Sequence, residues 1–268
     1  MTLSILSLSQ AHLTLLETCP RRFQYIFDQS LAVPPKPEGQ EAALWGSQFH
    51  LLMQQQALGI PIDVMATANR DMSTKVDALR QQAPQLFYPQ PNEQLRQSEH
   101  QRTLALNGYV FTVIYDLLVL TPDSGLIVDW KTYLKPPPQQ YLARDWQTRL
   151  YLYVLTETTS LLPEQLTMAY WFVRHQDERG ELPPSDYRFT YSLQQHDQTR
   201  AELLRLTEHL SKLRRQGEFP QTPHLERCER CPFQIRCERV EQPSLPIDLE
   251  MIEEIPLDLG SIDQHKSN

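Results

Sequence analysis

This 268-residue chain has four cysteines, and their placement constrains its fold more than any other feature. Cys228, Cys231 and Cys237 form C-x2-C-x5-C, and Cys19 stands 209 positions before Cys228. Three thiols within ten residues of a polar, Arg-rich segment do not resemble the apolar surroundings in which structural cysteines are usually buried. With the remote cysteine they suit a four-thiolate site, holding either a [4Fe–4S] cluster or structural zinc. Two tight C-x2-C pairs would favour zinc, whereas the one-plus-three distribution leans towards iron–sulfur. Such a clasp would tie the first helix to the last ordered segment and remove closure entropy from the unfolded chain. Four cysteines are too few for a disulfide scaffold, and MTLSILSLSQAH lacks the basic start and long apolar stretch of a signal peptide. No run approaches the ~18 apolar residues of a membrane span. The expectation is a cytoplasmic protein without membrane contact.

Charge has to be read by region. The net −8 argues at first sight against a nucleic-acid partner. Residues 241–268, however, hold seven acidic side chains and one basic one, so −6 of the −8 lies there and the body is close to neutral. Basic residues gather beside the cysteines instead: Arg21, Arg22, Arg227, Arg230, Arg236 and Arg239, with Lys212, Arg214 and Arg215 just before. If the clasp brings them together, they form a local positive face suited to phosphates; compensation of Glu226, Glu229 and Glu238 is the competing reading.

Hydrophobic residues make up 40% of the chain, enough to build one large domain core. With 21 Pro and only eight Gly, proline does most of the punctuation. Ser9 to Phe27 reads as a Ser-capped helix that Pro20 must kink or divide. Pro34-Pro35-Lys36-Pro37 is a linker. A helix from about Glu41 to Leu58 follows, with Leu44, Phe49, Leu52 and Met53 as its apolar positions, and residues 62–88 add further helix. Leu104–Leu120 and Leu126–Thr132 have strand composition and form an antiparallel hairpin around Thr121–Gly125. Tyr141–Thr158 is a helix, Leu166–Arg174 and Tyr187–Ser192 are strands, and Gln194–Gln216 is a helix closed by Gly217 with Leu203, Leu206, Leu210 and Leu213 buried. Strands interleaved with helices give a mixed α/β or α+β domain.

The sharpest chemistry sits at Asp129-Trp130-Lys131. On a strand, Asp129 and Lys131 share one face while Trp130 points away. Asp116 lies near the end of the preceding strand. Two carboxylates beside an ammonium suit a hard divalent cation and phosphodiester hydrolysis, although Asp-x-Lys on a strand more often marks a solvated face. The apolar Leu126-Ile127-Val128 run before it favours the functional reading, because charges at the edge of a buried strand need partners. His50 on the second helix is a further candidate, as is the pair Gln147 and Tyr151 spaced i, i+4.

Together these residues resemble the PD-(D/E)XK nuclease superfamily, in its RecB-like and AddB-like branch with a four-cysteine iron–sulfur cluster, which includes the CRISPR-associated adaptation exonucleases. The matching elements run in order through residues 7–240: Ser9-x-Ala11, Cys19-Pro20-Arg21-Arg22-Phe23, Gly46-x3-His50, Glu99, Asp116, Asp129-Trp130-Lys131-Thr132, Gln147-x3-Tyr151 and the three-cysteine group. The resemblance implies a restriction-endonuclease-like central mixed sheet flanked by helices. It implies Mg²⁺ or Mn²⁺ held by His50, Asp116 and Asp129, catalysis by Asp116, Asp129, Lys131, Gln147 and Tyr151, and a [4Fe–4S] cluster on Cys19, Cys228, Cys231 and Cys237. The implied activity is a DNA exonuclease acting on single strands or ends in repair, recombination or related processing, with any helicase supplied by a separate chain. Val113 and Tyr115 depart from the family, which often has Gly and a smaller aliphatic residue at these positions beside the metal site. The expected organisation is a nuclease domain over 1–240, with a helical insertion at about 55–95, and an acidic tail over 241–268. Two rivals remain: an iron–sulfur module that binds DNA or a helicase without cutting, and a zinc-stabilised adaptor.

Overall fold

The strand run expected at Leu104–Leu120 is two strands. Asn107 and Gly108 both adopt positive φ (51° and 80°), the left-handed pair of a two-residue hairpin turn, and fold the chain back on itself. The structure, a computed structural model, describes residues 7–31, 37–60 and 70–239. The acidic tail, the linker before Pro37 and the expected helix over 62–69 lie outside the described residues. The chain divides into two units, Met1–Pro223 and His224–Asn268.

In the first unit, strand β1 (Ser7–Leu8) leads into helix α1 (Gln10–Thr18). Cys19 is extended, so the helix expected over Ser9–Phe27 breaks there and resumes at Pro20 as α2 (Pro20–Phe23), continuing as a π-turn over Gln24–Asp28. Helices α3 (Pro37–Ala57) and α4 (Arg70–Gln82) follow. Next come β2 (Leu95–Leu106), β3 (Tyr109–Leu120) and β4 (Gly125–Lys131). The helix expected over Tyr141–Thr158 is two, α5 (Gln139–Arg144) and α6 (Trp146–Glu157), because Asp145 turns extended and caps α6 by accepting from the Gln147 N–H at 2.9 Å. Strand β5 (Leu166–Phe172), the short ribbon β6 (Gln176–Asp177) and β7 (Gly180–Glu181), and β8 (Ser185–Thr190) precede α7 (Leu193–Gln216), which Gly217 closes at φ 71°.

The sheet is mixed. β3 pairs antiparallel with β2 along its whole length. Its other side is shared by β1, parallel at Val110–Phe111, and β4, antiparallel at Leu117–Leu120. β4 then pairs parallel with β5, and β5 antiparallel with β8. Helices cover both faces. On one, α1, α6 and α7 supply Leu13, Leu16, Leu150, Val154 and the stripe Leu203, Leu206, Leu210 and Leu213, packed on Ile127, Met168 and Tyr170. On the other, α3 and α4 supply Trp45, Phe49, Leu52, Met53, Met72, Val76 and Leu79 against Val128, Trp130 and Trp171. Each fully buried aliphatic or aromatic side chain contributes about 1.5–3 kcal/mol. Leu44, expected on the buried face of α3, is exposed; Trp45 takes the inward position.

One irregularity positions everything that follows. Tyr115 and Leu118 belong to the first core, whereas Leu117 and Val119 belong to the second. The strict alternation of a strand therefore slips by one residue at Asp116. Opposite it in β2, between the pairs Ser98–Leu117 and His100–Tyr115, Glu99 takes φ 51°. This is a bulge-like kink held in a left-handed conformation that non-glycine residues enter at a cost of about 1–2 kcal/mol.

In the second unit, described to Arg239, a 3₁₀ turn at Leu225–Arg227 leads into consecutive turns. The Cys231 N–H donates to Cys228 O at 2.9 Å, and the Cys237 N–H to Phe233 O at 2.9 Å. Phe233 is buried. Among the described residues, no helix is long and apolar enough to cross a membrane.

Candidate active site

The β3–β4 ladder ends at the pair Leu117–Val128. One step further the strands fork, and Asp116 and Asp129 are the residues that face each other across the opening. Glu99 stands opposite Asp116 on the third strand, so the three acids form a row across β2, β3 and β4. At the fork, a side chain replaces the lost ladder bond: Asp116 Oδ2 accepts the Trp130 N–H at 2.7 Å.

α3 lies over this row. His50 Nδ1 is 3.3 Å from Asp116 Oδ1, and His50 Nε2 is 3.0 Å from the carbonyl oxygen of Trp130. A carbonyl can only accept, so Nε2 carries the proton, and in the neutral ring the Nδ1 lone pair is turned to the acids. One ligand atom each from His50, Glu99 and Asp116 lies within 4.8 Å of the others. Gly46 permits the close approach of α3, since a Cβ there would come 3.1 Å from Thr132 Oγ1. The residues lining the resulting open cleft of about 590 Å³ include Gly46, His50, Glu99, Asp116, Thr132 and Tyr151.

Asp129 belongs to a second, adjoining cluster. Its Oδ1 lies 2.7 Å from Lys131 Nζ, and its Oδ2 accepts from Gln147 Nε2. Gln147 Oε1 in turn accepts from Lys131 Nζ at 2.7 Å, which closes a triangle of carboxylate, ammonium and carboxamide. The ammonium also sits 4.7 Å from the centre of the Tyr170 ring. One turn along α6, the Tyr151 hydroxyl lies near the Gln147 side chain and the Ile114 backbone, beside the stretch of β3 between its pairings with β1 and β4. Buried Asp129 Oδ1 touches Lys131 without the alignment of a hydrogen bond and keeps unused acceptor capacity.

Electrostatics follow from crowding five ionisable groups in a poorly solvated place. Burial, then the Asp116 charge, pushes the Asp129 carboxyl up to about 6, against the pull of Lys131 and His50. Burial also raises Glu99, aided by Asp116. For His50, burial works to lower the value, but the hydrogen bond and charge of Asp116, with Asp129 and Glu99 behind, outweigh it and the net shift is upward. For Lys131, burial is likewise outweighed by Asp129, so the amine remains protonated. The excess of negative charge is what a divalent cation would neutralise, and the donor set, two or three carboxylates and one imidazole, is of the type that holds Mg²⁺ or Mn²⁺.

The structure thus brings His50, Asp116, Asp129, Lys131, Gln147 and Tyr151 to one place and adds Glu99 to the candidate ligands. Val113 and Tyr115 face the first core instead of the cleft, and the Tyr115 hydroxyl donates to Tyr151 O at 3.1 Å. The four cysteines form no disulfide and each is partly buried, Cys19 in the first unit and the other three in the second. Within the first unit, Arg21, His209 and Lys212 line a groove together with Glu218.

A mixed sheet covered by helices, with an acidic row and a lysine at a strand fork, is the architecture of a restriction-endonuclease-like nuclease. The profile of the PD-(D/E)XK nuclease superfamily matches residues 7–238, and the chain belongs to that superfamily. Among solved structures, a protein from Eubacterium rectale, named provisionally as an exonuclease, shares the fold at a TM-score of 0.54 with 12% identity, over 87% of this chain and 88% of that one. The crystal structure of SSO0001 overlaps at a TM-score of 0.41 with 15% identity over 88% of each chain, too low to support an inference. No curated protein sequence matches the chain.

Proposed function

We propose that this nuclease is a Mg²⁺- or Mn²⁺-dependent deoxyribonuclease that removes nucleotides from single strands or ends, in DNA repair, recombination or related processing. The observation that carries the reading is the acidic row Glu99–Asp116–Asp129 at the fork, with His50 on one side and protonated Lys131 on the other. His50, Asp116 and Asp129 would hold the cation, and Glu99 would complete the set. Such an ion would supply Lewis-acid polarisation of a phosphoryl oxygen and a more acidic water. Lys131 remains an ammonium, so it acts as a cation and not as a base: it steadies the negative charge that develops on the phosphoryl group and aligns the attacking water. Gln147 holds both Asp129 and Lys131, which fixes the distance between acid and ammonium, and Tyr151 anchors Gln147 from the next turn.

The proposal includes a [4Fe–4S] cluster on Cys19, Cys228, Cys231 and Cys237. It is supported by four thiols outside any disulfide, three of them in one turn-rich segment. A separate helicase chain is the proposed partner that would supply single strands. The test incubates strands labelled at either end, single- and double-stranded DNA and RNA, with Mg²⁺, Mn²⁺ or a chelator. Metal-dependent shortening of DNA from an end supports the reading; degradation of RNA alone, or undiminished cutting under chelator, contradicts it. An absorbance band near about 400 nm reports the cluster, and its absence with bound zinc would replace it.

A further inference from the structure

Strand β4 ends at Lys131, and Tyr133 stands two residues beyond it. Lys131 Nζ lies 5.8 Å from the centre of the Tyr133 ring. Tyr133 is 45% exposed, a large aromatic side chain left in solvent beside partly buried Lys131. Its backbone is not loose. The Val173 N–H donates to Lys131 O at 3.1 Å and the Gln176 N–H to Leu134 O at 2.9 Å, holding the segment on both sides of Tyr133. Thr132 Oγ1 packs close against Gly46 of α3.

We infer that Tyr133 is a base-stacking shelf that receives the nucleobase next to the reacting phosphate of an unpaired strand. An ammonium and an exposed aromatic face held about 6 Å apart match the two chemistries of one nucleotide, a phosphate anion and a flat π-surface. In a duplex both faces of a base are covered by its neighbours, so only an unpaired strand or a frayed end can lay a base on the ring. Stacking is indifferent to base identity, which suits a site that processes any sequence. A rigid backbone lets the ring accept a base without ordering a loop. The shelf rests on the nuclease reading for its occupant and narrows that occupant to single-stranded nucleic acid.

The test measures binding by fluorescence anisotropy, with Ca²⁺ as the only added divalent cation, so that strand capture is read apart from cutting. Probes are a short oligodeoxyadenylate and an abasic deoxyribose-phosphate strand of equal length. Full-length wild type should bind the base-bearing strand about 5- to 100-fold more tightly than the abasic one. Tyr133→Ala should lose most of that preference while its affinity for the abasic strand stays unchanged, and Tyr133→Phe should keep it. Equal binding of both strands by wild type, or an undiminished preference in Tyr133→Ala, overturns the shelf and leaves the nuclease reading intact. Failure to bind either strand overturns both.

Discussion

Asp129→Asn separates the penalty of burying this carboxylate from its use. The residue is 3% exposed, and its carboxyl stands at about 6 against an ordinary 3.8. A carboxyl that holds its proton more tightly in the folded state weakens the fold as pH rises past its unfolded value. Metal-free protein should therefore lose stability between about pH 4 and pH 6, by at most on the order of 3 kcal/mol from this group. His50, raised above 6.5, works in the same direction: its contribution is present below 6.5 and is lost as pH rises through the folded value. The carboxamide of the variant can still meet Lys131 and Gln147, and it carries no charge. Urea unfolding of both proteins with chelator, from about pH 4 to pH 8, should show the variant gaining on wild type up to about pH 6 and then holding a constant lead. Saturating Mg²⁺ should narrow that lead at high pH, since ligand at 100 times its Kd adds about 2.7 kcal/mol to a protein that binds it. Parallel pH profiles, or a wild type that gains on the variant as pH rises, would refute the reasoning.

Other consequences concern single partners. Glu99→Gln should weaken Mn²⁺ binding by at least about 10-fold in calorimetric titration, and an unchanged affinity would remove Glu99 from the ligand set. Gln147→Ala deprives Asp129 and Lys131 of a shared partner and should lower kcat by about 10- to 100-fold with strand affinity retained; an undiminished kcat would leave Gln147 without a positioning role. Gly108→Val forces a β-branched residue to φ 80° and should cost about 1–2 kcal/mol or more by urea midpoint at unchanged m-value. A loss below about 0.5 kcal/mol would show that the turn relaxes.

Much of this arrangement was legible in the residues. The α7 stripe from Leu203 to Leu213 follows helical spacing closely because one face meets the sheet and the other meets water. Asp129 and Lys131 stand out because Asp-x-Lys at the edge of an apolar strand demands partners, whereas His50, Gln147 and Tyr151 join them at one site only through the resemblance. What escaped notice was set by local backbone chemistry. Asn107-Gly108 is a strong hairpin signal, but it lies inside an unbroken β-rich composition that reads as one long strand. Asp145 divides a helix whose apolar spacing continues across the break, and its capping side chain was the available clue. Leu44 and Trp45 compete for one inward direction, and the larger ring wins by burying more area. Glu99 could be matched in order but not placed in the ligand set, because its approach depends on a left-handed backbone and a switch of strand faces at Asp116 that no periodicity announces.

The central claim is that the fork at Asp116 and Asp129 cuts phosphodiester bonds with Lys131 as its resident cation. The most direct measurement is single-turnover digestion of end-labelled single-stranded DNA by wild type and Lys131→Ala, under anaerobic conditions with Mg²⁺ or Mn²⁺. The account predicts metal-dependent digestion by wild type and a loss of about 100-fold or more in the variant, the scale of removing one transition-state donor. Equal digestion by both proteins, or none by either, would contradict it.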